Sequence, residues 1–247
     1  MHYHWNWGIF FEMSPEGTGT YLETFVWGFG WTVATSLSAW IMALVLGCIV
    51  GVLRTTSSPW VVRIANGYVE LFRNIPLIVQ MFLWYFVLPE LVPVGIGDWL
   101  KQLPDAAFYN AVIALGFFTS ARVAEQVRAG IQSIPRGQRA AATALGLTGL
   151  QTYRYVLVPM ALRIIVPPLT SEFMNVVKNS AVGLTIGLVE LTGRARAMQE
   201  FSFQVFEAFT AATLAYVLIT ISIVLLMRWL ERRVAIPGFI ARAGAAH

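Results

Sequence analysis

Two long stretches of the chain, Thr24 to Leu53 and Ala208 to Met227, contain no charged residue. A helix needs about 20 consecutive apolar residues to cross the hydrocarbon core of a bilayer, and both stretches are long enough. Charged residues make up only 12% of the chain, whereas an ordinary soluble domain carries about 25%. The sequence therefore predicts an all-α, polytopic membrane protein.

Three further spans are predicted from apolar runs that contain prolines or charges. The second span centres on Ile75 to Pro89 and is expected to begin near Tyr68. The third covers Ala106 to Ala121 and continues as a helix through Arg128, and the fourth extends from about Ile164 to Val189. The predicted organisation is five transmembrane helices in a single domain, 24–231, with an N-terminal segment, 1–23, and a tail, 232–247.

The arginines collect in alternate segments between the predicted spans. The positive-inside rule places such segments in the cytoplasm. We therefore expect a periplasmic N-terminus and a cytoplasmic C-terminus, and we attribute the net charge of +4 to topology and not to nucleic-acid binding. The basic segments are the loop with Arg54, Arg63 and Arg73, the loop with Arg128, Arg136, Arg139, Arg154 and Arg163, and the tail with Arg228, Arg232, Arg233 and Arg242.

Lys178 is one of only two lysines, and it lies inside the apolar fourth span. An ammonium group is costly in hydrocarbon unless it pairs with an anion or lines a wet cavity. Lys178 is therefore predicted to bind an anionic group of a substrate, with Asn179 and Ser180 adding hydrogen bonds. The alternative is a lysine that snorkels to the interface or pairs internally with Glu172.

The segment 135–159 has the pattern of a folded knob. Gln138 to Leu145 is rich in alanine and favours a helix, which Gly146 can end in a left-handed conformation. Thr148 can cap a second short helix, expected to end near Val158 with Pro159 after it. Small residues on such a knob permit close approach to a partner, although an ordinary surface helix pair has a similar pattern.

The spacing of Ala141-Ala142, Gly146 and Val158-Pro159 resembles the EAA loop of ABC importer membrane subunits. Nearly the whole chain is similar to the polar amino-acid uptake branch of these permeases, and most similar to its glutamate/aspartate members. The glutamate that names the EAA motif is Ala140 here, so this chain lacks the side chain for any charge contact that the glutamate would make with the ATPase, whereas the knob itself is unaffected. The other matching segments are 70–77, Ala124-Glu125 with Arg128, 178–180, and Glu190-Leu191.

The resemblance implies a type I ABC importer permease in the bacterial inner membrane. It implies that a dimeric ATP-binding subunit receives the loop, through Ala141, Ala142, Leu145, Gly146 and Pro159. It also implies a second membrane subunit, related but not identical, and a periplasmic amino-acid-binding protein. The chain has no G-x-x-x-x-G-K-[ST] phosphate loop, so the partner hydrolyses ATP, and this chain is expected to be no enzyme and to bind no cofactor.

Arg122 is the residue that bears on the substrate. Polar amino-acid permeases commonly have a tyrosine at the matching position, whereas this chain reads Thr119-Ser-Ala-Arg122. A guanidinium can hold a carboxylate bidentately. We therefore expect Lys178 to bind the α-carboxylate and Arg122 the side-chain carboxylate of glutamate or aspartate, near Thr119. Alternatively, Arg122 only marks the cytoplasmic end of the third span, and the substrate is another polar amino acid such as glutamine, arginine or histidine.

Two acidic residues could accept the α-ammonium group of such a substrate, and the sequence leaves the choice open. Glu125 could equally pair with Arg128 or Arg122, and Glu172 with Lys178. Two other classes of protein fit less well. An ion-coupled carrier would leave the EAA-like loop unexplained, and a membrane enzyme would need a catalytic or metal-binding cluster that the sequence does not show.

Overall fold

The computed structural model describes residues 3–15, 17 and 19–234, and most of these residues are helical. After a short 3-10 helix, Trp7–Phe11, nine helices follow in the described residues. They are α1 Tyr21–Leu53, α2 Pro59–Asn74, α3 Leu77–Leu91, α4 Val94–Gln102, α5 Ala106–Gln132, α6 Arg136–Ala144, α7 Gly149–Ile186, α8 Leu191–Ser202 and α9 Val205–Val234.

Four of these helices, α1, α5, α7 and α9, are each long and apolar enough to cross a membrane. The fifth candidate span is the pair α2 and α3 taken together, in which a bend of 100° separates the amphipathic first helix from the apolar second helix. The prediction of an all-α protein with five spans is confirmed. The predicted tail, 232–247, lies mostly outside the described residues.

The prediction that the second span begins near Tyr68 was wrong. The chain breaks at Ile75, which is extended, and Pro76, because a residue before proline is driven out of the helical region. Glu70 and Arg73 therefore belong to α2, a separate amphipathic helix that buries Ala65 and Val69. The exposed side of α2 carries the apolar residues Trp60, Ile64 and Leu71. This pattern fits a helix that lies in the membrane interface.

The tightest contact in the bundle is between α1 and α5. Small buried residues recur every fourth position along α1, at Ala39, Ala43, Gly47 and Gly51. A Cβ added to Gly47 would lie 2.8 Å from the carbonyl oxygen of Ser120, and the equivalent at Gly51 only 2.9 Å from that of Ala124. The two backbones are therefore in direct contact, as small residues permit in membrane helices.

Two prolines lie just after π-helical turns. Leu83–Val87 precedes Pro89 in α3, and Tyr153–Leu157 precedes Pro159 in α7. Proline removes an N–H donor and crowds the carbonyl four residues earlier, and a wider π turn accommodates both effects. The predicted end of the second knob helix near Val158 was therefore wrong, because the chain continues from the knob into the span.

The fourth span is interrupted later than its prolines suggest. Pro167 and Pro168 lie inside a continuous α-helix that extends to Ser180. The helix then tightens into the 3-10 turn Ala181–Ile186, and Gly187 ends it with a φ of 89°. The break thus follows the polar residues Lys178 to Ser180.

The N-terminal segment is held against the start of α9. Glu207 is fully buried and accepts hydrogen bonds from the Tyr3 hydroxyl and from the Asn6 backbone N–H, the latter at 2.7 Å. The Tyr3 ring also packs on Phe206. Tyr3 and Asn6 are therefore part of the folded domain.

The α1–α5 contact can be tested with one substitution. Gly47→Val would place a branched side chain against Val123, because a Cβ added at residue 47 would lie only 2.5 Å from the Val123 Cβ. We expect overpacking to lower the free energy of unfolding by about 1 to 3 kcal/mol, which is measured as a lower thermal unfolding temperature in detergent. Gly30→Val is the matched control in the same helix, because a Cβ there meets nothing within 4 Å. Equal effects at both positions would show that helix propensity, and not the contact, is responsible.

Candidate functional site

Arg122 on α5 and Glu172 on α7 face each other across the bundle. Arg122 Nη1 lies 3.7 Å from Glu172 Oε2, and the two side chains are 44% and 11% exposed. They border a cavity of about 390 Å³, which the predicted site residue Glu125 also lines. The remaining lining residues are Arg73, Gln126 and Ala129. Three residues predicted from the sequence thus meet in one polar cavity between two membrane spans.

The Arg122–Glu172 pair is loose, at 3.7 Å between its nearest charged atoms. Glu172 Oε2 is buried and receives no hydrogen bond from the described residues. The Arg122 guanidinium rests over the Phe118 ring, with its carbon 5.2 Å from the ring centroid. A buried carboxylate oxygen without a donor favours a cationic or N–H-bearing ligand group beside it.

Glu125, in contrast, forms ion pairs with three arginines. Its Oε1 lies 3.1 Å from Arg54 Nη1 and 3.1 Å from Arg73 Nη1, and its Oε2 lies 3.9 Å from Arg128 Nη1. The expected pair with Arg128 is present, and the expected alternative with Arg122 is not. Of the two carboxylates that the sequence left open, Glu172 is the one with a buried oxygen that receives no hydrogen bond from the described residues.

Lys178 and Asn179 lie farther along α7. Lys178 is exposed and forms no ion pair or hydrogen bond with any described residue, so the suggested pair with Glu172 is absent because Glu172 faces Arg122. Asn175 and Ser171 precede Lys178 by three and seven positions, which places all three on one helix face. Sequence reasoning missed Gln126, which lines the cavity and which its spacing of four residues from Arg122 could have identified.

Thr119 and Ser180 are not at the cavity. Thr119 is 2% exposed, and Ser180 is fully buried with its hydroxyl donating to the Val177 carbonyl at 2.7 Å. The Ser180 side chain packs inside the bundle because it lies about 200° around α7 from the exposed Lys178. Thr119 is on the same side of α5 as Arg122, three residues away, but its side chain is buried. The structure thus supports no direct contact of these two residues with a ligand in the cavity.

The segment 135–159 forms the predicted knob. α6 ends at Ala144, and Gly146 follows two residues later with a left-handed φ of 76°. Thr148 forms a capping box with Gln151 at the start of α7. Ala142 is buried against the bundle, whereas Leu145 and Leu150 are 82% and 81% exposed. Two exposed leucines on a rigid turn make a compact apolar projection. Ala140 and Ala141 are also exposed.

Comparison with known proteins agrees with this architecture. Residues 43–236 match the model of the binding-protein-dependent transport system inner membrane component. The chain belongs to this family. The permease is 52% identical to the glutamate/aspartate import permease protein GltJ of Escherichia coli K12, over 96% of its own length and 98% of that protein. It is 35% identical to a probable glutamine ABC transporter permease protein of Bacillus subtilis 168, over 83% and 91% of the two chains.

Solved structures show the same fold. The permease superposes on an amino acid ABC transporter, crystallised with histidines, with a TM-score of 0.73 and 32% identity, covering 86% and 95% of the two chains. The inward-facing methionine transporter MetNI gives a TM-score of 0.71 at 24% identity, over 87% and 97%. The permease is therefore a multi-pass inner membrane subunit of an ABC importer with the type I fold. It is not an enzyme, since ATP hydrolysis belongs to a separate subunit.

A second buried carboxylate in the permease holds the end of α7 in place. Glu190 is fully buried, caps α8 through the Gly193 N–H at 3.1 Å, and accepts hydrogen bonds from the hydroxyls of Tyr216 and Thr32, the latter at 3.3 Å. It thereby joins α1, α8 and α9 immediately after the turn that follows Ser180. Glu190 was noted in the sequence only as part of a matching motif.

The structural role of Glu125 can be measured directly. Glu125→Gln leaves Arg54, whose side chain is 5% exposed, without its anion. We expect the free energy of unfolding to fall by about 1 to 3 kcal/mol. This is less than for a fully buried ion pair, because Glu125 is 31% exposed. The thermal unfolding temperature should fall while the KM for uptake stays unchanged.

Glu200→Gln is the matched control for this change. Its partner Arg196 is exposed, and exposed pairs contribute at most about 1 kcal/mol. A KM that rises in Glu125→Gln with unchanged stability would instead make Glu125 a substrate ligand.

Proposed function

We propose that this permease translocates glutamate and aspartate, delivered by a periplasmic amino-acid-binding protein. The observation that carries the proposal is the Arg122 guanidinium beside the unsatisfied Glu172 oxygen in a cavity between two spans. The 52% identity to a glutamate/aspartate import permease supports the same substrate class.

The charges of the site complement an acidic amino acid. Such a substrate carries two carboxylates and one ammonium group. Arg122 and Glu172 line the cavity, and Lys178, which is not among its lining residues, lies farther along α7. Arg122 can bind the side-chain carboxylate bidentately, and the Glu172 oxygen can accept the α-ammonium. Lys178, with Asn179 beside it, can bind the α-carboxylate. Glutamine would leave Arg122 without an anion, so the same site favours glutamate.

A second membrane subunit completes the pathway in our proposal. Arg122 is 44% exposed and Lys178 is exposed in this chain alone, which is costly for charges within a membrane unless a protein surface covers them. A related but non-identical subunit that faces this side of α5 and α7 would enclose both charges. We propose that the substrate moves between the two subunits.

The energy for transport would enter through the knob. We propose that each ATP-binding subunit of a dimer receives one such knob, through the exposed Ala141, Leu145 and Gly146. Pro159 lies at the base, where the knob continues into the span. The arginine-rich segments at this end of the bundle support a cytoplasmic knob and C-terminus, with the N-terminus in the periplasm.

The substrate assignment is tested by uptake of labelled glutamate in cells with and without this gene. We expect gene-dependent uptake that excess aspartate blocks and that glutamine and arginine do not. Equal competition by glutamine would contradict a site that uses both carboxylates. Absence of gene dependence in a strain lacking other glutamate uptake systems would contradict the substrate class.

The roles of the two cations can be separated by their effects on selectivity. Arg122→Gln should lower the preference for glutamate over glutamine about tenfold or more, because it removes only the contact with the side-chain carboxylate. Lys178→Gln should weaken uptake of both substrates equally, since both carry an α-carboxylate. Competition curves for the two variants measure this, and an unchanged preference in Arg122→Gln would contradict the assignment.

Knob docking is tested by comparing two glycines of the knob. A Cβ at either Gly146 or Gly137 meets nothing within 4 Å, but only Gly146 has a left-handed φ. A valine at Gly146 is strained by about 1 to 2 kcal/mol and should distort the turn. We expect Gly146→Val to reduce co-purification of the ATP-binding subunit and Gly137→Val to preserve it. Equal retention by both variants would show that this turn is not the docking element.

A further inference from the structure

A second polar cavity, which we call the basic cavity, lies beneath the knob. It has a volume of about 410 Å³ and lies between the α1–α2 turn, the end of α5, α6 and the start of α7. No acidic residue of the described chain lines the basic cavity. Four arginines do, namely Arg54, Arg128, Arg136 and Arg139. The cavity is separate from the Arg122–Glu172 site, with which it shares no lining residue.

The charges around the basic cavity are not balanced within the described residues. Arg54 and Arg128 share the single carboxylate of Glu125, which also serves Arg73. Arg136 makes no ion pair or hydrogen bond in the described part of the chain, and Arg139 only stacks over the Tyr153 ring, at 5.8 Å from its centroid. Guanidinium groups gathered in this way favour an anion among them.

The walls of the basic cavity are rigid. The Arg54 side chain is 5% exposed and its Nε donates to Asn66 Oδ1 at 2.7 Å, so its position is set before any ligand binds. The Tyr153 hydroxyl donates to the Thr55 carbonyl and ties α7 to the α1–α2 turn. The first turn of α2 borders the cavity at Val62, and Ser58 before it makes no side-chain capping bond, so N–H groups there are open to an anion.

The position of the basic cavity leaves it accessible when the knob is docked. An α-helix turns about 100° per residue, so Ala141 lies about 200° around α6 from Arg139, on the far side from the cavity. The cavity also lies beside α2, the helix with exposed Trp60, Ile64 and Leu71 that fits the membrane interface. With the cytoplasmic orientation proposed above, phospholipid headgroups of the inner leaflet lie at this level.

We propose that the basic cavity binds a phosphate group, carried by an anionic phospholipid of the cytoplasmic leaflet or by free phosphate. Arg54 and Arg128 from the bundle and Arg136 and Arg139 from α6 would donate to its oxygens. Because these arginines lie on both sides of the cavity, the bound phosphate would connect the knob to the bundle. The second membrane subunit and the transported amino acid are not needed for this binding.

The test uses the complete transporter, purified with its partner subunits in mild detergent without nucleotide. Native mass spectrometry counts phosphatidylglycerol molecules that remain bound, and equilibrium dialysis with labelled inorganic phosphate measures binding of the free ion. Arg136→Gln removes one exposed guanidinium that has no partner in the described chain, so folding is preserved. We expect it to weaken the binding of the phosphate species about tenfold.

Arg154→Gln is the matched control, because Arg154 is also an exposed arginine of segment 135–159 but does not line the cavity. Arg154→Gln should bind phosphatidylglycerol and inorganic phosphate as the unaltered protein does. Retained phosphatidylglycerol that inorganic phosphate fails to displace identifies the lipid as the source, and displacement identifies phosphate itself as a ligand. Absence of both ligands, or equal binding by Arg136→Gln and Arg154→Gln, would overturn the proposal. If Arg136→Gln fails to assemble, Arg139→Gln is judged by the same criteria.

Discussion

The backbone contact between α1 and α5 is the interaction on which the rest of the structure depends. Lipid tails are as apolar as the helices they surround, so close packing must hold membrane helices together. Gly47 and Gly51 let α1 touch the carbonyls of Ser120 and Ala124. The same approach brings Arg54, at the end of α1, within 3.1 Å of Glu125 on α5. Packing of small residues thereby determines which charges meet.

The charged residues show how position alone separates structural and functional roles. Glu125 and Glu172 are both carboxylates on helices long enough to span a membrane. Three arginines surround the first, and one loosely placed arginine faces the second. A carboxylate held by several cations is already neutralised, whereas Glu172 keeps a buried oxygen without a donor. An amino acid with its own ammonium group can supply that donor, and this asymmetry is the basis of the proposed site.

The long helix α7 connects the knob to the residues of the proposed substrate site. It begins in the knob at Thr148, passes Glu172 and Lys178, and ends in a turn that the buried Glu190 holds against α1 and α9. The π turn before Pro159 keeps the knob and the span in one continuous helix. Movement of the knob would therefore be transmitted along α7 to the residues that we propose bind the substrate.

The sequence by itself determined the five spans, the knob and its left-handed Gly146, because apolar length, glycine and capping residues act locally. It also indicated Arg122, Glu172 and Lys178 as charges that need a reason to lie in a membrane. Only the tertiary structure decided that Glu125 pairs with Arg54 and Arg73. It also decided that the side chains of Thr119 and Ser180 are buried, and that a bend of 100° separates α2 from α3. These outcomes depend on the rotation and depth of helices distant in the chain, which local patterns do not encode. The same holds for the basic cavity, whose four arginines come from three separate segments.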